Sequence, residues 1–150
     1  MNATLEFSLV EEGVAEPIWV EQVSNNQAGI NSLTLPGDKP ELSVGKTYRW
    51  SVALVVNPTR RSQDIFVQSW IERVALPVGQ QEPTVAATAD LSAIEFYAGQ
   101  GLWFDALRTA QNAYVAQPDN AAFKQARLSL LEQAGLTDVV GQEQQVLSLR

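Results

Sequence analysis

The spacing of apolar residues changes abruptly along this chain, and that change constrains the fold more than any other feature. Up to Leu76 the apolar side chains recur at every second position, which is typical of β-strands with one buried face. After Ser92 they recur at the three- and four-residue spacing of helices. Residues 77–88, between the two regions, are rich in Pro, Gln, Thr and Ala and show neither pattern. Strands followed by helices, without alternation, predict an α+β fold with an antiparallel sheet.

The first region predicts five strands, at residues 5–9, 17–23, 30–35, 46–56 and 64–76. Five strands without intervening helices predict an antiparallel β-sandwich of immunoglobulin-like size. Trp50 is expected in its core, with Tyr48 and Val52 beside it on the same face. The other strand tryptophans, Trp19 and Trp70, are also expected in the core, because aromatic side chains bury large areas; a flat aromatic platform for sugars is the alternative. Arg49 is expected to form cross-strand ion pairs with the end of the fifth strand.

The second region predicts three helices and a short tail. Asp90 or Ser92 is expected to cap the first helix, which ends near Gly99. The second helix covers residues 102–116, and the third runs from Asp119 until Gly135 stops it. The residues after Thr137 are predicted to form the tail.

The first two of these helices resemble one tetratricopeptide-like hairpin. A tyrosine lies late in the first helix, a glycine lies in the turn, two alanines lie one heptad apart on the second helix and a proline follows it; these are Tyr97, Gly101, Ala106, Ala113 and Pro118. About three such repeats are usually needed to form a stable stack. A single hairpin therefore needs another surface, and we expect the helical element, residues 89–150, to pack on the sheet of residues 1–76. The linker 77–88 would join the two parts into one folded unit.

Trp103 is the candidate binding residue of the helical element, and Tyr97 and Asp105 are the candidates beside it. A large aromatic just after a turn can remain exposed and contact a partner. A structural interpretation stays open for all three. Tyr97 would lie in the seam between the helices, Trp103 would dock on the sheet, and Asp105 would favour the positive end of the helix dipole.

Composition excludes several function classes. The net charge is −7, with 10 Lys and Arg against 17 Asp and Glu, so the chain lacks the basic face that nucleic-acid binding requires. No apolar run approaches the ~20 residues of a membrane span, so no membrane insertion is expected. The chain contains no Cys and no His, which excludes thiol nucleophiles, Ser-His-Asp triads and the usual zinc sites. We therefore expect no metal ion, no cofactor and no enzymatic activity.

Several segments together resemble a cyanobacterial family known only as a domain of unknown function (number 928). The segments with this resemblance are residues 29–36, 42–50, 67–74, 97–107 and 130–136. The resemblance implies an exported protein, periplasmic or extracellular, with an export signal and a further strand upstream of Met1. Loss of that strand would leave an unprotected sheet edge near Thr4 to Val10 or beside it, and two copies are expected to dimerise through strand pairing or helix exchange. The family has no established activity, so the resemblance supplies no catalytic residue.

These features predict a non-enzymatic interaction or structural module. A protein or peptide is the expected partner, and a second copy of the chain is another candidate. The alternative is a carbohydrate-binding module that uses surface aromatics. A row of exposed Trp and Tyr side chains on one sheet face would favour the sugar, and an apolar groove would favour the protein.

Overall fold

The chain divides into a β unit, residues 1–78, and a helical unit, residues 79–150. A computed structural model describes residues 4–23, 29–83 and 90–148, with side chains described up to Gln145. The α+β class predicted from the sequence is confirmed, because all strands precede all helices. The predicted linker 77–88 is described only as far as Pro83.

The β unit contains one four-stranded antiparallel sheet. Its strands are β1 (Thr4–Glu11), β2 (Trp19–Val23), β3 (Thr47–Val55) and β4 (Ile65–Glu72). Their order across the sheet is β2-β1-β3-β4, so β1 and β3 are central while β2 and β4 form the edges. A 3₁₀ turn at Arg61–Gln63 leads into β4.

The core of the β unit lies on one face of the sheet, around Tyr48. The strand register places Leu9 opposite both Trp19 and Trp50, so these side chains share that face with Tyr48. Leu35 and Leu42, from the irregular segment between β2 and β3, pack against the same cluster. The Tyr48 hydroxyl accepts a hydrogen bond from the Ser43 backbone N–H at 2.9 Å. The irregular segment is thereby held over the sheet face by both apolar contact and a hydrogen bond.

One sequence prediction about the sheet is wrong. Residues 30–35 do not form a strand but follow an irregular path, and Leu35 lies over the sheet face. The described residues therefore form a single sheet, and the β-sandwich is not confirmed. The edge expected near Thr4 to Val10 or beside it is formed by β2, the strand next to β1, because β1 itself pairs with a strand on each side.

The burial of the β3 aromatics also differs from the prediction. Tyr48 is only 1% exposed and is the most deeply buried large side chain of the described residues, whereas Trp50 is half-buried at the border of the cluster. The face was predicted correctly from the alternation. The position of the most buried residue along that face was not predicted correctly, because the irregular segment that covers the sheet contacts only the Tyr48 end of the face.

The helical unit contains four helices. They are α1 (Leu91–Gly99), α2 (Trp103–Ala116), α3 (Ala121–Gln133) and α4 (Thr137–Ser148). The Asp90 side chain caps α1 by accepting a hydrogen bond from the Ser92 N–H at 3.1 Å. Hydrogen bonding to the Ser92 side chain, followed by this backbone bond, lowers the pKa of Asp90. Gly101 and Gly135 take φ values of +74° and +76° at the turns after α1 and α3, where a residue with a Cβ would be strained.

Small residues form the core of the helical unit, as predicted for Ala106 and Ala113. These two alanines and Ala110 are completely buried on α2, and they allow close approach of α1 and α3. Ile94 of α1 and Phe123 of α3 pack against them. The two-helix hairpin around Gly101 is therefore present, whereas its tetratricopeptide-like character is not confirmed.

A buried arginine joins three of these helices. Arg127 of α3 is 2% exposed. Its guanidinium donates hydrogen bonds to Gln111 of α2, at 2.8 Å, and to Glu143 of α4, and it lies 4.3 Å from the centre of the Tyr114 ring. The residues after Thr137, predicted as a short tail partly ordered by valines that include Val140, form a helix instead. This helix is held by the ion pair, and Val140 is buried as expected. The expectation that both units form one folded unit stays a prediction.

Candidate interaction surface

Apolar side chains are exposed along β4, at one edge of the sheet. Ile65, Phe66, Val67 and Trp70 expose 66%, 62%, 61% and 51% of their surface, respectively. We call this strand and these four side chains the β4 edge. One side of β4 pairs with β3, and no other named strand of the described residues pairs with its second side. Such a strand presents unpaired N–H and C=O groups together with apolar side chains.

The β4 edge has apolar groups on both faces of the sheet. Ile65 and Val67 lie opposite Leu54 and Val52, on the face that contains Tyr48. Phe66 and Trp70 project from the other face, where Phe66 lies opposite Ala53. Because the covering segment contacts the sheet around Tyr48, Ile65 and Val67 at the far end of the same face remain exposed.

Trp70 also borders a small cleft of about 110 Å³. The register places Val10, Arg49 and Trp70 side by side on neighbouring strands, and residues 11–14 of the turn after β1 complete the lining. Arg49 is exposed, and no ion pair or hydrogen bond joins its side chain to another described residue. The predicted ion pair of Arg49 with the end of β4 is wrong, because Trp70 lies opposite it and Glu72 lies opposite Thr47.

Charged groups lie at the ends of the β4 edge rather than within it. Arg61 donates hydrogen bonds to Glu6 and to Asp64, each at 2.6 Å, and these bonds raise the pKa of Arg61. At the other end, Arg73 pairs with Glu41 at 3.1 Å. Between Asp64 and Glu72 the strand carries no charged residue. The surface offered by β4 is therefore apolar with a polar centre at Gln68 and Ser69.

The three sequence-predicted binding residues lie together in the helical unit. Trp103 is half-buried, packs against the helical core and donates a hydrogen bond from its indole Nε1 to the Leu130 carbonyl at 2.9 Å. Tyr97 packs against the same core, and burial is the main cause that raises the pKa of its hydroxyl, followed by the nearby Glu82 and Asp105 carboxylates. Asp105 lies in the first turn of α2, as the helix-dipole argument predicted. These contacts give all three residues a packing or capping place in the hairpin; a binding role stays a prediction.

The β4 edge was not identified from the sequence. Its alternation placed Trp70 in a core, yet half of that side chain is exposed. The available signal was the absence of charge from Ile65 to Ile71, in a chain whose net charge is −7. An apolar strand without charge is read as buried from sequence alone, so the same signal pointed to the core.

Metal-binding groups and membrane-spanning helices are two further features that bear on the function of the described residues. No three acidic side chains come together in a group that could hold a metal ion, among residues 4–23, 29–83 and 90–148. Of the helices in that part of the chain, none has the length and apolar character required to cross a membrane.

The chain was compared with known families, with curated proteins and with solved structures. Neither the curated proteins nor the solved structures give a match. A family described as Domain of Unknown Function (DUF928) matches residues 2–144. This match includes both the β unit and nearly all of the helical unit, and it agrees with the resemblance carried by the segments from Gly29 to Leu136. The chain therefore belongs to the DUF928 family.

Proposed function

We propose that this protein is a non-enzymatic interaction module of an exported protein, and that β4 binds an extended protein segment by strand addition. The observation that carries the proposal is the β4 edge, where an unpaired strand side coincides with four exposed apolar side chains. In strand addition the backbone groups of the partner provide affinity, and contacts with alternate side chains provide specificity. Export belongs to the proposal through the family resemblance, and fractionation of cells that make the native protein tests it.

The contrast between the two sheet edges supports this role for β4. Natural edge strands are commonly protected by short length or by charge, because unprotected edges attract other chains. β2 has five residues and carries the exposed Glu21. β4 has eight residues and no charge before Glu72. The protein thus protects one edge and leaves the longer, apolar edge open, as a binding strand requires.

Val67→Lys is expected to abolish binding of the partner, because a lysine in the middle of β4 opposes strand addition. Val115→Lys is the matched control: Val115 lies on α2 and is 66% exposed, compared with 61% for Val67. Both substitutions replace an exposed valine, so each should change the free energy of unfolding by only about 0.5 kcal/mol or less. The measurement is affinity capture by the full chain from cells that make it, with wild type, Val67→Lys and Val115→Lys in parallel.

Hydrogen exchange then locates the contact. A partner captured by wild type and by Val115→Lys should slow exchange of the amides of residues 65–72. If Val67→Lys captures the same partner as wild type, or if protection appears only in the helices, β4 is not the binding strand.

Carbohydrate binding is a second candidate function, favoured by the cleft between Arg49 and Trp70. An exposed indole next to a guanidinium that has no partner among the described residues offers a sugar both a flat apolar surface and hydrogen-bond donors. The aromatic row expected of such a module is not present in the described part of the sheet, however. Trp19 is buried and Trp50 is half-buried on the opposite face, so Trp70 has only Phe66 as an aromatic neighbour on its strand and face. Protein binding is therefore the better-supported function.

Trp70→Ala is expected to abolish any change in tryptophan fluorescence or heat signal on titration with soluble oligosaccharides. Phe66→Ala, on the same strand and face but outside the cleft, should leave such binding unchanged. For a protein partner both substitutions should weaken binding, since both side chains belong to the β4 edge. A wild-type protein that gives no signal with a panel of oligosaccharides removes this second candidate.

A further inference from the structure

We propose that the partner of the β4 edge is a second copy of this chain, paired antiparallel with its β4 about a two-fold axis through Gln68. This inference rests on the proposed function and names the partner for the same strand. It is carried by a symmetry in the strand: read from Gln68 in either direction, β4 presents residues of matching kind. Two of the three pairs match, Phe66 with Trp70 and Ile65 with Ile71, whereas Val67 meets the polar Ser69.

The geometry of an antiparallel pair makes this symmetry meaningful. Residues directly opposite each other on antiparallel strands project to the same face of the sheet. A two-fold axis perpendicular to the sheet keeps each face of one copy continuous with the same face of the other. One residue must therefore lie directly opposite its own copy, with the axis midway between the two, and we say that this residue lies on the axis. With Gln68 on the axis, Phe66 of each copy lies opposite Trp70 of the other, and Ile65 lies opposite Ile71.

The two neighbouring registers bring unlike residues together. With Val67 on the axis, Phe66 would lie opposite Gln68 and Asp64 opposite Trp70. With Ser69 on the axis, Phe66 would lie opposite Glu72. Only the register about Gln68 pairs both aromatic side chains with each other and both isoleucines with each other, on their respective faces.

Like charges meet only at the two ends of the strand in the same register. Glu72 of one copy lies directly opposite Asp64 of the other copy, which opposes pairing at that position. Asp64 is paired with Arg61, and this ion pair partly offsets the repulsion. Residues 65–71 carry no charge, so the rest of the interface contains no charge repulsion.

Sedimentation of the full chain tests the second copy as partner. We expect wild type to form dimers that dissociate on dilution, Val115→Lys to behave as wild type, and Val67→Lys to be monomeric. A wild type that remains monomeric at its highest soluble concentration overturns the proposal. A dimer that Val67→Lys leaves intact overturns it as well, because that dimer would use another surface.

A single engineered cysteine tests the register. The chain has no cysteine of its own, so every disulfide reports the introduced residue. We expect Gln68→Cys to yield disulfide-linked dimers under mild oxidation, since directly opposite Cα atoms lie within the ~4.4–6.8 Å that a disulfide spans. Val67→Cys and Ser69→Cys are the matched controls, and each alone should cross-link far less. Efficient cross-linking by either control in place of Gln68→Cys overturns the register.

These outcomes separate the failure of this inference from the failure of the proposed function. If the chain is monomeric, but captures another protein that Val67→Lys loses and Val115→Lys keeps, strand addition at β4 stands and the second copy is wrong. If the chain is monomeric and Val67→Lys captures the same partners as wild type, both are wrong.

Discussion

Tyr48→Ala is expected to remove about 3–5 kcal/mol from the free energy of unfolding of the β unit, the cost of truncating a buried aromatic side chain. Tyr48 is 1% exposed and contacts the cluster that joins the sheet to its covering segment. The truncation also leaves the Ser43 N–H without its acceptor. Small domains are stable by only roughly 5–15 kcal/mol, so the variant should melt far below wild type. Chemical denaturation followed by near-UV circular dichroism measures the loss.

Two comparisons make the Tyr48 experiment specific. Tyr48→Phe keeps the ring and removes the hydroxyl, so it should cost about 0.5–1.5 kcal/mol, the net contribution of a single hydrogen bond, because Ser43 is exposed and water can replace the lost acceptor. Trp50→Ala should cost less than Tyr48→Ala, because Trp50 is only half-buried. The reverse order would place the centre of the core at Trp50.

The same variant tests whether the two units unfold together. If residues 1–76 and 89–150 form one folded unit, the helical signal at 222 nm should be lost in the same transition as the β signal. If Tyr48→Ala lowers the first transition and leaves the helical one at its wild-type midpoint, the units are independent domains.

Glu143→Ala is expected to cost about 3–5 kcal/mol in the helical unit, since it leaves the buried Arg127 guanidinium without its counter-charge. The substitution should also release α4, because Glu143 pairs with Arg127 of α3 and is, with the buried Val140, among the residues that hold the described part of α4. Thermal unfolding at 222 nm measures the loss, and hydrogen exchange of residues 137–145 reports the release.

Glu132→Ala is the control for a glutamate without this role. Glu132 is exposed on α3, and its removal should change stability by no more than about 0.5 kcal/mol. A double variant, Arg127→Met with Glu143→Leu, should recover much of the loss, because apolar replacement of a whole buried pair is often neutral. If Glu143→Ala and Glu132→Ala have equal effects, the ion pair does not hold α4.

The sequence predicted where strands lie along the chain better than it predicted how the strands and the segments between them are arranged. Alternating apolar residues identified β1, β2, β3 and β4, and they also assigned a strand to residues 30–35. Alternation indicates that some side chains of a segment contact a core, and a segment that crosses over a sheet face can meet that condition without pairing. Leu35 is partly buried against the sheet in this way, whereas Leu33 remains exposed. The number of sheets therefore could not be predicted from the pattern alone.

In the helical unit, local signals predicted α1, α2 and α3 well because caps and glycines mark their ends. Asp90 caps the start of α1 and Gly135 takes a positive φ at the end of α3, as expected. α4 was missed because its strongest contact is not local: Glu143 pairs with Arg127, sixteen positions earlier. An arginine and a glutamate that far apart give no periodic signal, so their pairing could not be predicted without the fold.

The candidate site was missed for a related reason. Whether a strand lies at an edge depends on the order of strands across the sheet, and sequence order does not determine it. An open edge was expected at β1 or beside it; β1 lies in the centre, β2 beside it forms one edge, and β4 forms the edge that was not expected. The same residues that predict a buried strand in the centre of a sheet form an exposed apolar surface at its border.

The unequal edges also determine where assembly stops. Pairing through β4 about a two-fold axis uses the same surface on both copies, so each copy contributes its long apolar β4 border to the contact. The joined sheet then ends at β2 on both sides, where five residues and Glu21 offer a third chain little to extend. A head-to-tail contact between β4 and β2 would instead repeat without end and produce filaments. Protection of β2 therefore makes a closed pair the end point of growth.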